Sequence, residues 1–182
     1  LVGAVIVIGA GMIYPLMAIP TRAGEFSGEP NLDGASGIAR SQPDDWAAIQ
    51  WLNQNAMEDA SEAPVILEAP GRSYDYEGRI SAFTGYPAVL GWAVHESQWR
   101  GSYDEQGKRE PDIATIYTTN DGQLMLDLLR KWEVDYLIMG SPERSYIQRV
   151  CPSCSLGTAV RKFDQLLTPV FNQGQVSIYA VP

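Results

Sequence analysis

Apolar side chains run without a charge through residues 1–20, LVGAVIVIGAGMIYPLMAIP. At about 1.5 Å rise per residue, such a helix matches the ~30 Å hydrocarbon core of a bilayer. A buried core helix is the competing reading, and length favours the membrane span. A cleavable signal peptide has a shorter apolar stretch between a basic leader and a small-residue cleavage site, a pattern not seen here. The run opens at Leu1 with no polar flank, so residues 1–22 are expected to be the last transmembrane helix of a longer polytopic protein. Residues 23–43, rich in Gly, Pro, Ser and Asn, read as a linker loop.

From residue 44 the pattern changes to alternating short elements. Asp44 is placed to cap a helix whose apolar face holds Trp46, Ala47, Ile49, Trp51 and Leu52 and which ends near Asn55. The apolar run 64–69 between breakers reads as a strand covered on both faces. Residues 79–84 read as a short helix stopped by Gly85, and 88–92 as a second strand. Residues 93–111 look irregular and polar, and 112–117 fit helix or strand. Asn120 or Asp121 then caps a helix through Leu124, Met125, Leu128 and Leu129, followed by a third strand at 135–140. Residues 163–167 complete a helix, and 169–171 with 176–181 flank Asn172-Gln-Gly-Gln175 as a closing hairpin. The fold class is therefore α/β: one N-terminal transmembrane helix, then a small, mainly parallel α/β domain over 44–182, of two or three layers, with a C-terminal β-hairpin.

Charge narrows the partners. The net charge of −9, from 22 acidic and 13 basic residues, argues against nucleic acid and against electrostatic docking on anionic lipid. Arg22 is the one basic residue soon after the apolar run, which leans the domain toward the extracytoplasmic side of the cell membrane. Cys151 and Cys154 are the two cysteines. A zinc site would need two further ligands and His95 is the one further soft donor, so no metal site is expected. A disulfide and a pair of free thiols are both open, and redox catalysis is disfavoured because the usual strand-helix context is missing.

Nucleotide-binding glycine loops, phosphate loops and nucleophile elbows are missing, and no cofactor is expected. Residues 78–101 gather Arg79, His95, Glu96 and Arg100 with Trp92 and Trp99 around a short apolar run. Ligands in open α/β sheets collect beyond the carboxyl ends of strands, which makes this group a candidate crevice. His95 beside Glu96 suits a general base or relay; equally, His95 and Arg100 tie a loop down by hydrogen bonds. Trp92 and Trp99 suit stacking on sugar faces, or ordinary packing. A second cluster with Glu68, Arg72 and Tyr74 has the aromatic and carboxylate groups of a carbohydrate or phosphosugar site, which an exposed turn would share. Glu143-Arg144 reads as a surface ion pair.

The chain resembles the Chlor_Arch_YYY family of polytopic membrane proteins. The resemblance runs through Asn31-Leu-Asp-Gly34, Ala48-Ile-Gln-Trp-Leu-Asn53, Ile66-Leu-Glu-Ala69 and Gly78-Arg-Ile-Ser81. It continues through Thr84-Gly-Tyr-Pro87, Gly91-Trp92, His95-Glu96, Gln98-Trp-Arg-Gly101 and Val134-Asp-Tyr136. Cys151 and Cys154 fall outside that pattern. The family looks like a relative of GT-C glycosyltransferases, membrane enzymes that transfer sugars from polyprenyl-phosphate donors. The resemblance implies an extracytoplasmic domain beside other transmembrane helices, with a polyprenyl-phosphate sugar or glycan as ligand. In GT-C enzymes the catalytic carboxylate comes from a loop between early membrane helices, so this segment alone would be inactive. The alternative is a noncatalytic scaffold of a membrane assembly. Convergence of Glu68, Arg79, His95 and Arg100 on one crevice would favour the transferase role; separate local networks would favour the scaffold.

Overall fold

The computed structural model describes residues 1–27, 33–56 and 62–182, in two units, Leu1–Ser36 and Gly37–Pro182. Asn31 and Leu32, which carry part of the family resemblance, lie outside the described residues.

In the first unit, α1 (Val2–Arg22) is a continuous 21-residue helix, and none of its residues is buried. It is long and apolar enough to cross a membrane. A 3-10 turn follows at Gly24–Phe26. Part of the expected linker is ordered into helix as well: α2 spans Ser36–Ser41 and buries Ile38.

The second unit is built on a four-stranded sheet of order β1-β2-β4-β3, from β1 (Ile66–Leu67), β2 (Tyr136–Met139), β3 (Thr168–Gln173) and β4 (Val176–Ala180). β1 and β2 are parallel, with Ile66 opposite Tyr136 and Leu67 opposite Leu137. β4 is antiparallel to both β2 and β3. The expected hairpin is present, and its second strand enters the sheet next to β2. The sheet is therefore mixed. Among the described residues, the expected strand at 88–92 makes two isolated parallel bridges, Ile66 to Ala88 and Gly71 to Trp92, and no ladder. Pro87 and Gly91 flank Val89-Leu90 too closely for a longer ladder.

Side chains alternate across the sheet, so Leu67, Leu137, Met139 and Tyr179 join one core with Ile113, Ile116, Tyr117, Ile147 and Phe163. That face is covered by α6 (Asp104–Thr118), α7 (Gly122–Lys131), α8 (Ser141–Val150) and α9 (Leu156–Leu166). On the other face α3 (Pro43–Asn55) buries Ala48, Ile49 and Leu52 and lays Trp51 against Tyr136 and Phe171, ring centroids 6.2 and 6.0 Å apart. The arrangement is three-layered.

Asp44 does not cap α3. Pro43 takes the first helical position, where a missing N–H goes unused, and Asp44 accepts instead from the Gln175 backbone N–H at 3.2 Å. Asp121 does cap α7, accepting from the N–H groups of Gln123 and Leu124. The segment expected to be irregular is helical: α5 spans Ala93–Arg100 and ends at Gly101, φ 73, and α6 runs through Pro111. An interior proline costs about 3 kcal/mol, but α6 buries Ile113, Ile116 and Tyr117, which outweighs it. Cys151 and Cys154 form a disulfide between α8 and α9.

Lys162 on α9 is buried and donates to Ile116 O and Thr119 O, both at 2.8 Å, at the carboxyl end of α6. Burial lowers its pKa to about 8 from the ordinary 10.5. The unfolded chain then holds more protons between those values, so stability is expected to rise as the pH goes from about 8 toward 10.5. Unfolding of the parent and of Lys162→Met across that interval checks this; the rise specific to the parent should vanish in the variant.

Candidate functional site

Arg79, the first residue of α4 (Arg79–Thr84), is the centre of a closed ionic cluster. Its Nε donates to Asp45 Oδ1 at 2.8 Å, while Nη1 and Nη2 grip both oxygens of Glu143 at 3.0 Å. Glu68 Oε2 lies 3.6 Å from Nη1. All four side chains are at most 5% exposed. Each carboxylate has further partners. Asp45 accepts from Tyr76 Oη at 3.0 Å. Glu68 accepts from the Ile80 and Ser81 N–H groups that open α4. Glu143 accepts from the Ala69 and Gly140 N–H groups.

The same guanidinium pulls both glutamates down, yet their net shifts are opposite. Burial pushes the Glu68 pKa up more than Arg79 and the Ser81 amide pull it down. For Glu143, burial also pushes up, but the two-pronged grip of Arg79 and two backbone amides overcome it, and the pKa falls. The cluster joins α3, the end of β1, α4 and the start of α8, which makes it a structural pin.

A second group is aromatic. Tyr74 lies 5.3 Å from Trp92 and 5.4 Å from His95, centroid to centroid, and His95 lies 6.1 Å from Trp99. Trp99 Nε1 donates to His95 Nε2 at 3.0 Å, one helical turn away on α5. Trp92 Nε1 donates to Glu77 O at 2.6 Å. Glu96 accepts from the Gly91 N–H at 3.1 Å and lies 3.8 Å from Arg100.

Beyond the carboxyl end of β1 a cleft of about 880 Å³ opens between residues 70–77 and helices α5, α6 and α8. Its walls mix tyrosines, Tyr103 and Tyr146, with small apolar groups such as Ala93 and Ala114. Its charged residues are paired within the wall. Arg72 meets Asp75 at 3.2 Å, Arg149 meets Glu77 at 3.6 Å, and Tyr103 Oη donates to Glu110 at 2.8 Å. Burial and the nearby Glu110 push the Tyr146 phenol up to about 12, so it stays a hydrogen-bond donor at neutral pH.

The candidate residues are thus divided among three places. Glu68 and Arg79 belong to the buried pin, Tyr74, His95, Glu96 and Arg100 to the aromatic patch and its helix, and Arg72 to the cleft rim. They do not converge on one crevice. Glu143-Arg144 is no surface pair: Glu143 is fully buried, and Arg144 Nη1 donates to Gln175 O at 2.6 Å. Sequence reasoning missed Asp45, Glu143, Tyr103, Glu110, Tyr146 and Arg149. One signal for Glu143 was present: it stands three residues after Gly140, where a glutamate reaches back to the start of its helix.

No family model matches the chain, and no curated protein matches it. The chain is similar to a solved structure, the C-terminal globular domain of an oligosaccharyltransferase from Archaeoglobus fulgidus. The identity is 15% and the TM-score 0.46, covering 76% of this chain and 97% of that one. A likeness of that extent does not establish a shared function.

Proposed function

We propose that this chain is the C-terminal part of a polytopic membrane protein of the GT-C glycosyltransferase-like type. In this reading Val2–Arg22 is its last span, and Gly37–Pro182 is an extracytoplasmic module that binds a polyprenyl-phosphate sugar or glycan without supplying the reacting groups. The observation that carries the noncatalytic role is the pairing of the acids. Asp45, Glu68 and Glu143 are buried around Arg79, and the cleft acids Asp75, Glu77 and Glu110 each face a partner. A general acid or base must reach its substrate with a proton to give or take, and these groups are held by the fold.

The binding role is supported by the cleft's position past a strand end and by its chemistry. Tyrosine faces suit sugar rings, and the rim guanidinium of Arg72 suits a phosphate. Membrane-protein class and sugar-lipid ligand come from the family resemblance of the central motifs.

The test uses the chain in nanodiscs, titrated with a polyprenyl-phosphate sugar and with the corresponding free glycan. Tyr103→Ala and Glu110→Gln are expected to weaken binding roughly tenfold or more, about the loss of one well-placed contact, with little change in thermal unfolding. Turnover of the donor by the chain alone would contradict the noncatalytic role. Absence of binding to either probe would leave the scaffold reading in its place.

A further inference from the structure

We propose that the aromatic patch around α5 is a membrane-docking face, on which the second unit rests in the headgroup region of a bilayer. The inference goes beyond sugar binding and shares with it only the reading of Val2–Arg22 as a membrane span.

Exposure first distinguishes the patch. Trp99 is 81% exposed and Tyr74 77%, whereas other large apolar side chains exposed on this unit, such as Leu124, Val150 and Leu166, are near 40%. Scattered partial exposure needs no explanation; two nearly bare aromatic rings joined through one histidine do.

Backbone strain points the same way. Tyr74 holds φ 67, a left-handed conformation that residues with a side chain rarely adopt. The surrounding rings hold it there, against Trp92 and His95, with most of its surface in water. Strained positions of this kind cluster at functional surfaces, and here the ring stays uncovered.

The chemistry of the patch selects that surface. Tyrosine and tryptophan combine an apolar ring with a polar edge and concentrate at the boundary between hydrocarbon and water. Arg100, on the same short helix as Trp99, carries a long apolar stem and an exposed charged head, its side chain 52% exposed. Glu96 lies 3.8 Å from that head, so the patch is locally near neutral and suited to zwitterionic phosphate. The chain's net charge of −9 rules against attraction to an anionic surface. Tethering supplies the proximity: residues 23–36 separate the apolar helix from the second unit, and a chain of that length reaches no farther than roughly 50 Å. Weak aromatic contacts suffice at the high effective concentration such a short tether imposes.

The test uses the whole chain in nanodiscs of zwitterionic lipid brominated either near the headgroup or near the chain end. Trp99 fluorescence, taken as the difference between the parent and Trp99→Phe, is expected to be quenched by the shallow bromines and little by the deep ones. Tyr74→Ala should reduce that quenching. Full access of aqueous iodide to Trp99, with no lipid quenching, would overturn the proposal. Protection from iodide that appears only on adding a soluble oligosaccharide would also overturn it and assign the patch to sugar stacking. Failure of the chain to enter nanodiscs would overturn the span itself, and with it the docking proposal. Sugar-lipid binding that persists without Trp99 quenching would leave the functional reading standing and sink the docking face alone.

Discussion

Arg79→Gln should destabilise the second unit by about 3–5 kcal/mol at neutral pH, the usual consequence of leaving buried charges without their counterion. Asp45, Glu68 and Glu143 would share one interior with no cation among them. The sign of the pH response separates this account from a simple loss of packing. In the parent, Glu143 is held below its ordinary value, so its contribution is present above that value and fades as the pH falls through its lowered pKa. In the variant, burial and the mutual repulsion of Glu68 and Glu143 favour their protonated forms, which fit the interior. The deficit is therefore expected to shrink as the pH falls from 7 toward about 4.5. Thermal unfolding of both proteins at the two pH values gives the comparison. A deficit that does not change with pH would mean that Arg79 acts through packing.

The second large effect is a contrast between two glutamates of the same cluster. Glu143→Gln replaces a carboxylate that receives two guanidinium and two backbone hydrogen bonds with a group that has one acceptor oxygen. A loss of about 3–5 kcal/mol is expected. Glu68→Gln should cost less, about 1–2 kcal/mol, because the ionised form of Glu68 is already disfavoured by burial. Its raised pKa means that its contribution is complete below the ordinary 4.5 and is lost as the pH climbs through the folded value. Glu68→Gln should therefore remove part of the parent's decline in stability on that side. Equal losses for the two variants, measured by denaturant unfolding across pH, would contradict the asymmetric cluster.

Both predictions concern residues whose roles were unequally legible in the sequence. Glu68 and Arg79 stood out as ionisable groups beside apolar runs, but their partners lie far along the chain. Arg79 bonds Asp45 across 34 positions and Glu143 across 64. No periodicity carries pairing of that range. Local signals fared better. The Asp121 cap, the apolar run of β2 and the turn at 172–175 are each written within a few residues, and each is found in place. The α4 helix was legible for the same reason, ending at Gly85, φ 76.

Helices α5, α6 and α8 were hidden because their sequences are polar and punctuated. Pro111 lies inside α6 and Pro142 in the first turn of α8, and the burial that sustains α6 and α8 comes from the sheet they cover. Reading 93–111 as irregular also concealed the spacing of His95 and Trp99. On a helix those residues are neighbours one turn apart, and the ring contact and hydrogen bond follow from that alone. The cleft at the end of β1 could not be assembled from the sequence, since its walls come from four separate segments.

A domain that holds a sugar lipid in this cleft, as proposed, while its buried acids serve the fold should be labelled there by the ligand itself. The measurement is crosslinking of a polyprenyl-phosphate sugar bearing a photoreactive group on the sugar to the chain in nanodiscs, mapped by mass spectrometry. The expected result is labelling within residues 70–77, 103–114 and 146–150, lost in Tyr103→Ala and retained in Glu68→Gln. Labelling that avoids those segments, or that disappears in a folded Glu68→Gln, would contradict it.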